Sequence, residues 1–548
     1  MRKLTRKQLL ARLFVGFFTL GSLLCTVNSA VAGGSYGKYT INNGSEELFT
    51  NEIKPDNPSG NTIRVTVSGQ SDQTTPKIYG GYSGSEVINV SSNTVFIKPS
   101  DEATEPVSKL DTVYGGYVAT GSATQNIVAI ASSTVGYVYG GYAGEGNATQ
   151  NIVNIASSTI SGFVSGSVYG GYVNGTGSAT QNIVNIASST VTGYVYGGYV
   201  YYSGSATENV VDIASSKING FIYGGCVDGT GSATQNIVDI ASSTVKNNVY
   251  GGYTNNGNVL ENKVNIASST VTGGVYGGYV QGTGSATQNI VNIASSTLIY
   301  SETTNNVYGG YTDNGNVLEN KVNIASSTLI YSGTSITRYV YGGYTNNGSA
   351  TQNIVDIASS TVKYNVYGGY TNKGNVLENK VNIASSTLIN SGTKNYVYGG
   401  YVKENGDVVS NNVTIKDSEV DKTVYGGYVG TGSANLNEVH IASSTVRGVY
   451  GGYAGEGNAA SNSVYISNST INDVLGAYVI SGFVASNSVA IAGSTVNNSV
   501  YGGNVVTGNA ASNSVAIAGS TVNNNVYGGI VTGSSNNSAL ENKVTIAG

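Results

Sequence analysis

Asn182-Ile183-Val184-Asn185-Ile186-Ala187-Ser188-Ser189-Thr190-Val191, followed by Val195-Tyr196-Gly197-Gly198-Tyr199, is the stretch on which the fold turns. In an extended chain Val184 and Ile186 take one face, while Ile183, Asn185 and Ala187 take the other. The same block returns along the chain with its Val and Ile nearly fixed, whereas the position between them is Asn, Asp, Ala, Tyr, His or Thr. A constant apolar face opposite a permissive one describes a strand with one side buried. The second half returns as Tyr-Gly-Gly-Tyr or a close variant beginning at 79, 114, 139, 169, 196, 223, 250, 276, 308, 341, 367, 398, 425, 450, 475, 501 and 527. Most intervals are 25 to 27 residues. A third, shorter strand fits the Ala-Thr-Gln or Val-Leu-Glu before each Asn, after a turn such as Thr176-Gly177 or Asn256-Gly257.

Two or three strands per unit, Gly turns and no helical period predict an all-β fold, an elongated parallel β-solenoid of about 17 coils of 25–33 residues. A propeller would need about four strands and ~40 residues per repeat. At about 4.8 Å per coil the rod would be of order 80 Å long. In register, the Asn two residues before each Val (126, 151, 182, 209, 236, 262 and onward) can donate to and accept from the next coil, forming an amide ladder. The paired glycines suit a close backbone approach. On a regular pleat the first Tyr of Tyr-Gly-Gly-Tyr points out and the second in. Stacked Tyr columns would stabilise the ladder or offer ring faces to sugars. Glu-Asn-Lys units (Glu261, Lys263; Glu319, Lys321; Glu378, Lys380) are separated by uncharged Thr-Gln-Asn-Ile units, which keeps like charges from stacking.

Residues 1–32 have a basic start (Arg2, Lys3, Arg6, Lys7, Arg12), an apolar run from Leu13 to Val27 and Ala30-Val31-Ala32 as a cleavage site, the pattern of a secretory signal peptide. Leu24 before Cys25 does not suit a lipobox. Residues 33–78 read as an N-terminal cap and 79–548 as the repeats. The signal removes five basic and no acidic residues, so 20 cations against 30 acids leave the exported chain at −10. Such a charge gives no basic footprint for nucleic acid. With Cys25 gone, Cys226 has no intrachain partner. One His and one Cys leave little material for nucleophile–base chemistry or a zinc site, so the chain reads as a non-enzyme without metal or cofactor.

A signal peptide followed by Gly-, Ser-, Asn- and Thr-rich β-coils nearly lacking Cys resembles the passenger region of Gram-negative autotransporter adhesins over residues 33–548. The resemblance implies a right-handed β-helix displayed at the cell surface or secreted, binding glycans or proteins of host or neighbouring cells. Such proteins end in an outer-membrane barrel. Here the repeats run to Val544-Thr545-Ile546-Ala547-Gly548 and stop inside a block, so the expectation is a truncated passenger with a separate or missing translocator barrel. Asn487-Ser488-Val489-Ala490-Ile491-Ala492-Gly493 and its counterpart at 513–519 also resemble the head repeat of trimeric autotransporter adhesins, though no heptads follow.

Three site candidates remain. The longest units gain residues at one corner, Leu298–Asn306, Leu329–Tyr339 and Leu388–Tyr396, and the first two are consecutive. Tyr300 and Tyr331 would form a ligand-binding ledge there, beside the plainer reading of neutral variation in loop length. Asp212 and Asp239 hold the same outward position in consecutive units. They would stack as solvated carboxylates, as a cation-binding pair, or as the acids of a polysaccharide-cleaving β-helix enzyme. His440 lies at that position too, as a surface residue. An inert spacer without a ligand is the third functional alternative.

Overall fold

The computed structural model describes residues 37–42, 44–48, 51–67, 76–99, 109–162, 165–300, 306–331, 338–389, 396–533 and 538–548. Residues 1–32, expected from the sequence to be a signal peptide, lie outside the described residues. The chain divides into Met1–Ser35 and Tyr36–Gly548, and the second unit is an all-β parallel solenoid of about 17 turns. No helix among the described residues is long and apolar enough to cross a membrane.

Each Asn-x-Val-x-Ile strand pairs in parallel with its counterpart one coil away, Val184 opposite Val211 and Ile186 opposite Ile213. These strands form the first sheet. The Tyr-Gly-Gly-Tyr strands and the short Thr-Val and Ala-Thr strands form the second. The antiparallel exceptions lie at the N-terminal end, where Gly37–Ile41 runs against Thr62–Val67 and Glu47–Leu48.

The interior has two lobes. Val184, Ile186, Val191 and Val195 belong to the larger core. Val200 and Ala206 belong to a smaller one. The asparagine ladder stands between them, its amides buried from Asn61 to Asn513. Asn182 Nδ2 donates to Asn209 Oδ1 at 2.9 Å and to the carbonyl of Ala148 at 2.9 Å, so both of its donors are used. The ladder runs unbroken from Asn61 to Asn542.

Three turns close a coil. Gln181 and Ser188 adopt left-handed backbone at φ 56° and 51°, and Gly177 turns at φ 151°. A Cβ on Gly177 would lie 1.9 Å from the Gly146 carbonyl, so this column requires glycine. A second ladder offsets the strain at Ser188: Ser189 Oγ donates to the Ala187 carbonyl at 2.7 Å and accepts from the Ser158 N–H at 3.0 Å. Gly493 and Gly519 occupy the left-handed position that Ser188 fills here. In the two segments that resemble trimeric adhesin heads, glycine thus stands where the turn needs left-handed backbone.

Candidate functional site

The tyrosines depart from the regular-pleat expectation. Both point outward. A Cβ on Gly197 would meet the Gly224 carbonyl at 2.5 Å and Asn209 Cβ at 3.0 Å, and one on Gly198 would meet Asn209 Nδ2 at 2.5 Å. Two successive residues therefore face the ladder, the in–out alternation skips a step, and Tyr196 and Tyr199 converge over the outside of the pair. Their rings meet edge to face at 5.0 Å. Along the rod each stacks on its own kind, Tyr169 on Tyr196 at 4.8 Å and Tyr172 on Tyr199 at 5.1 Å. The first column is continuous from Tyr79 to Tyr450. The second stops at Cys226 and resumes at Tyr253. Burial pushes these phenols above the ordinary value, Tyr172 and Tyr344 to about 12.

Tyr300 and Tyr331 stand opposite one another in the paired strands Thr297–Tyr300 and Thr328–Tyr331. Residues 301–305 and 332–337 of that corner, and 390–395 of the one after Leu388, lie outside the described residues. Asp212 and Asp239 are neighbours in register. Asn265 Nδ2 donates to Asp239 Oδ1, and Asn292 continues the chain of amides to Asn265 at 2.7 Å. The two acids are members of an outward polar column. Among the described residues no group of three or more His, Cys, Asp or Glu side chains is placed to hold a metal ion.

Farther along that column the residues become Thr414, His440, Tyr465, Ala490 and Ala516. A shallow trough of about 570 Å³ follows them. His440 stacks on Tyr465 at 4.7 Å and lies 3.3 Å from the Glu438 carboxylate. The charge alternation also has a structural partner: the Gln of one coil donates to the Glu of the next, Gln181 to Glu208 and Gln235 to Glu261, each at 2.8 Å.

Two features escaped the sequence reading. Lys422 is fully buried, and its Nζ donates to the Tyr364 carbonyl 58 residues earlier. Desolvation pushes its pKa down to about 7. The alternation of Glu419–Val424 carries the signal, since Lys422 sits in phase with the inward Val420 and Val424. The other is a group of tyrosines outside the repeat motif, Tyr194, Tyr201 and Tyr202, all exposed. Comparison with known proteins returns no family model, no curated protein and no solved structure that matches this chain.

Proposed function

We propose that the chain is an adhesin-like autotransporter passenger, a structural rod secreted or displayed at the cell surface that binds glycans or proteins of a host or neighbouring cell and does not catalyse. The observation that supports this reading is the division between inside and outside. The lumen repeats Val, Ile and Asn with their ladders from coil to coil, while the outward columns change residue freely. A long scaffold with variable outward positions suits many weak, spaced contacts. In this reading an outer-membrane translocator barrel presents the rod, and the corner that carries Tyr300 and Tyr331 contributes recognition. The test is adherence of beads coated with residues 33–548 to cells and glycan surfaces, before and after the corners at 298–306 and 329–339 are trimmed to short-coil length. Reduced adherence with circular dichroism unchanged supports it. Undiminished adherence removes the corner from the account, and release of reducing sugar would favour the polysaccharide-cleaving alternative.

A further inference from the structure

An aromatic band crosses the rod along the coil that holds Tyr196 and begins at Phe221 of the next coil. Phe221 lies 5.4 Å from Tyr194, Tyr194 lies 6.1 Å from Tyr196, and Tyr196 meets Tyr199. Tyr199 is 6.5 Å from Tyr201, and Tyr201 meets Tyr202 edge to face at 4.7 Å. Tyr194, Tyr201 and Tyr202 are 39%, 44% and 57% exposed. Ladder stacking does not account for Tyr201 and Tyr202. The corresponding turns one coil away are Asn174-Gly175 and Asp228-Gly229, so neither ring has an aromatic neighbour of its own column.

Asp228 lies against the band. Its carboxylate accepts from Tyr199 Oη at 2.5 Å and from Cys226 Sγ at 3.7 Å. Both donors are neutral groups, a phenol and a thiol that burial pushes up, so neither brings a positive charge to the carboxylate. Among the described residues no Lys or Arg forms an ion pair with it. The surrounding coils share the sign: residues 110–262 contain seven acidic side chains and only Lys217 and Lys246 as cations.

Exposed tyrosine faces beside an uncompensated carboxylate in an acidic stretch complement a cation. We infer that the band formed by Tyr194, Tyr201 and Tyr202 with Asp228 is a docking surface for a basic segment of a protein partner. Arg or Lys side chains lie against the tyrosine faces, and Asp228 supplies the counter-charge. The acid excess favours this occupant over a neutral glycan. The inference does not rest on the corner reading above.

The probe is a fluorescent hexa-arginine peptide, with a neutral Gly-Ser peptide of equal length beside it, titrated with the full chain and followed by anisotropy. The arginine peptide binds and the neutral one does not. The double variant Tyr201→Ser, Tyr202→Ser weakens binding about tenfold, and the Phe pair at these positions retains it. Asp228→Asn weakens it severalfold. Glu456→Gln and Tyr465→Ser, an exposed acid and an exposed aromatic elsewhere on the rod, leave it within about twofold. Equal losses in these controls would reduce the effect to diffuse charge and overturn the proposal. So would absence of binding, or a neutral oligosaccharide held by the same tyrosines in place of the peptide.

Discussion

Asn209 Oδ1 accepts two hydrogen bonds from Asn182, one from its backbone N–H at 3.0 Å and one from Nδ2 at 2.9 Å. One amide thereby satisfies both donors of the coil before it, at a point with no access to water. Asn209→Ala removes that acceptor and also the side-chain donor to the Ala179 carbonyl. The expected cost is about 3–5 kcal/mol, as for other broken buried networks. Asn185→Ala, on the outer face of the same sheet, should cost under about 1 kcal/mol. Comparable thermal shifts for the two variants would mean that the ladder is not what joins the coils.

The faces of the first sheet permit a companion test. Ile186 is 2% exposed, and Ile186→Asp would bury an unpaired charge in a dry lobe at a cost of several kcal/mol. Denaturant melts should show a loss far greater than for Asn185→Ala, and a small loss would place Ile186 wrongly.

A strand glycine and a turn serine differ in what they tolerate. Gly198→Ala sets a Cβ 2.5 Å from Asn209 Nδ2, so the ladder must shift, and a loss of roughly 2–4 kcal/mol is expected. Ser188→Gly relieves a left-handed residue at φ 51° and should be neutral or stabilising by up to about 1 kcal/mol. Gly493 shows that the turn accepts it. Urea midpoints moving in opposite directions would bear this out.

Much of this architecture was legible because the repeat averages out local ambiguity. The fixed Val184 and Ile186 identified the buried face, and the recurring Asn182 identified a ladder before any contact was known. The placement of Tyr199 was not legible, because alternation assumes a regular pleat and the paired glycines insert a step that reverses the face. Lys422 is readable in principle, since it falls in phase with Val420 and Val424, but its segment lies outside the repeated motifs, and a lysine is rarely fully buried. The band at Tyr201 and Tyr202 needed three dimensions. Its meaning lies in Asp228, one coil away, and in ring neighbours that the repeat elsewhere supplies and here withholds.

Lys422 should leave a pH signature. Its folded pKa, about 7, lies below its ordinary value of 10.5. Between those values the unfolded chain binds more protons than the folded one, so stability rises with pH across this window and is flat below it. Lys422→Met removes the penalty. It should raise the melting temperature at pH 6, by a margin that shrinks toward pH 10. A margin independent of pH would show that Lys422 is hydrated in the folded state.

The tyrosine columns predict the opposite response at high pH. Burial raises the phenol pKa values, strongly for Tyr308, Tyr341, Tyr367 and Tyr398, so the folded rod holds phenols neutral that would ionise near 10 once exposed. Their contribution is present in full below that value and falls as pH rises through and beyond it, because only the unfolded chain can release the protons. Absorbance at 295 nm should therefore show only a minor, gradual phase before the fold is lost. The rest should ionise in one steep step that coincides with loss of the β signal in circular dichroism. A smooth titration of all 42 tyrosines near pH 10, with the fold intact, would mean that the columns are open to water and that stacking does little to hold the coils together.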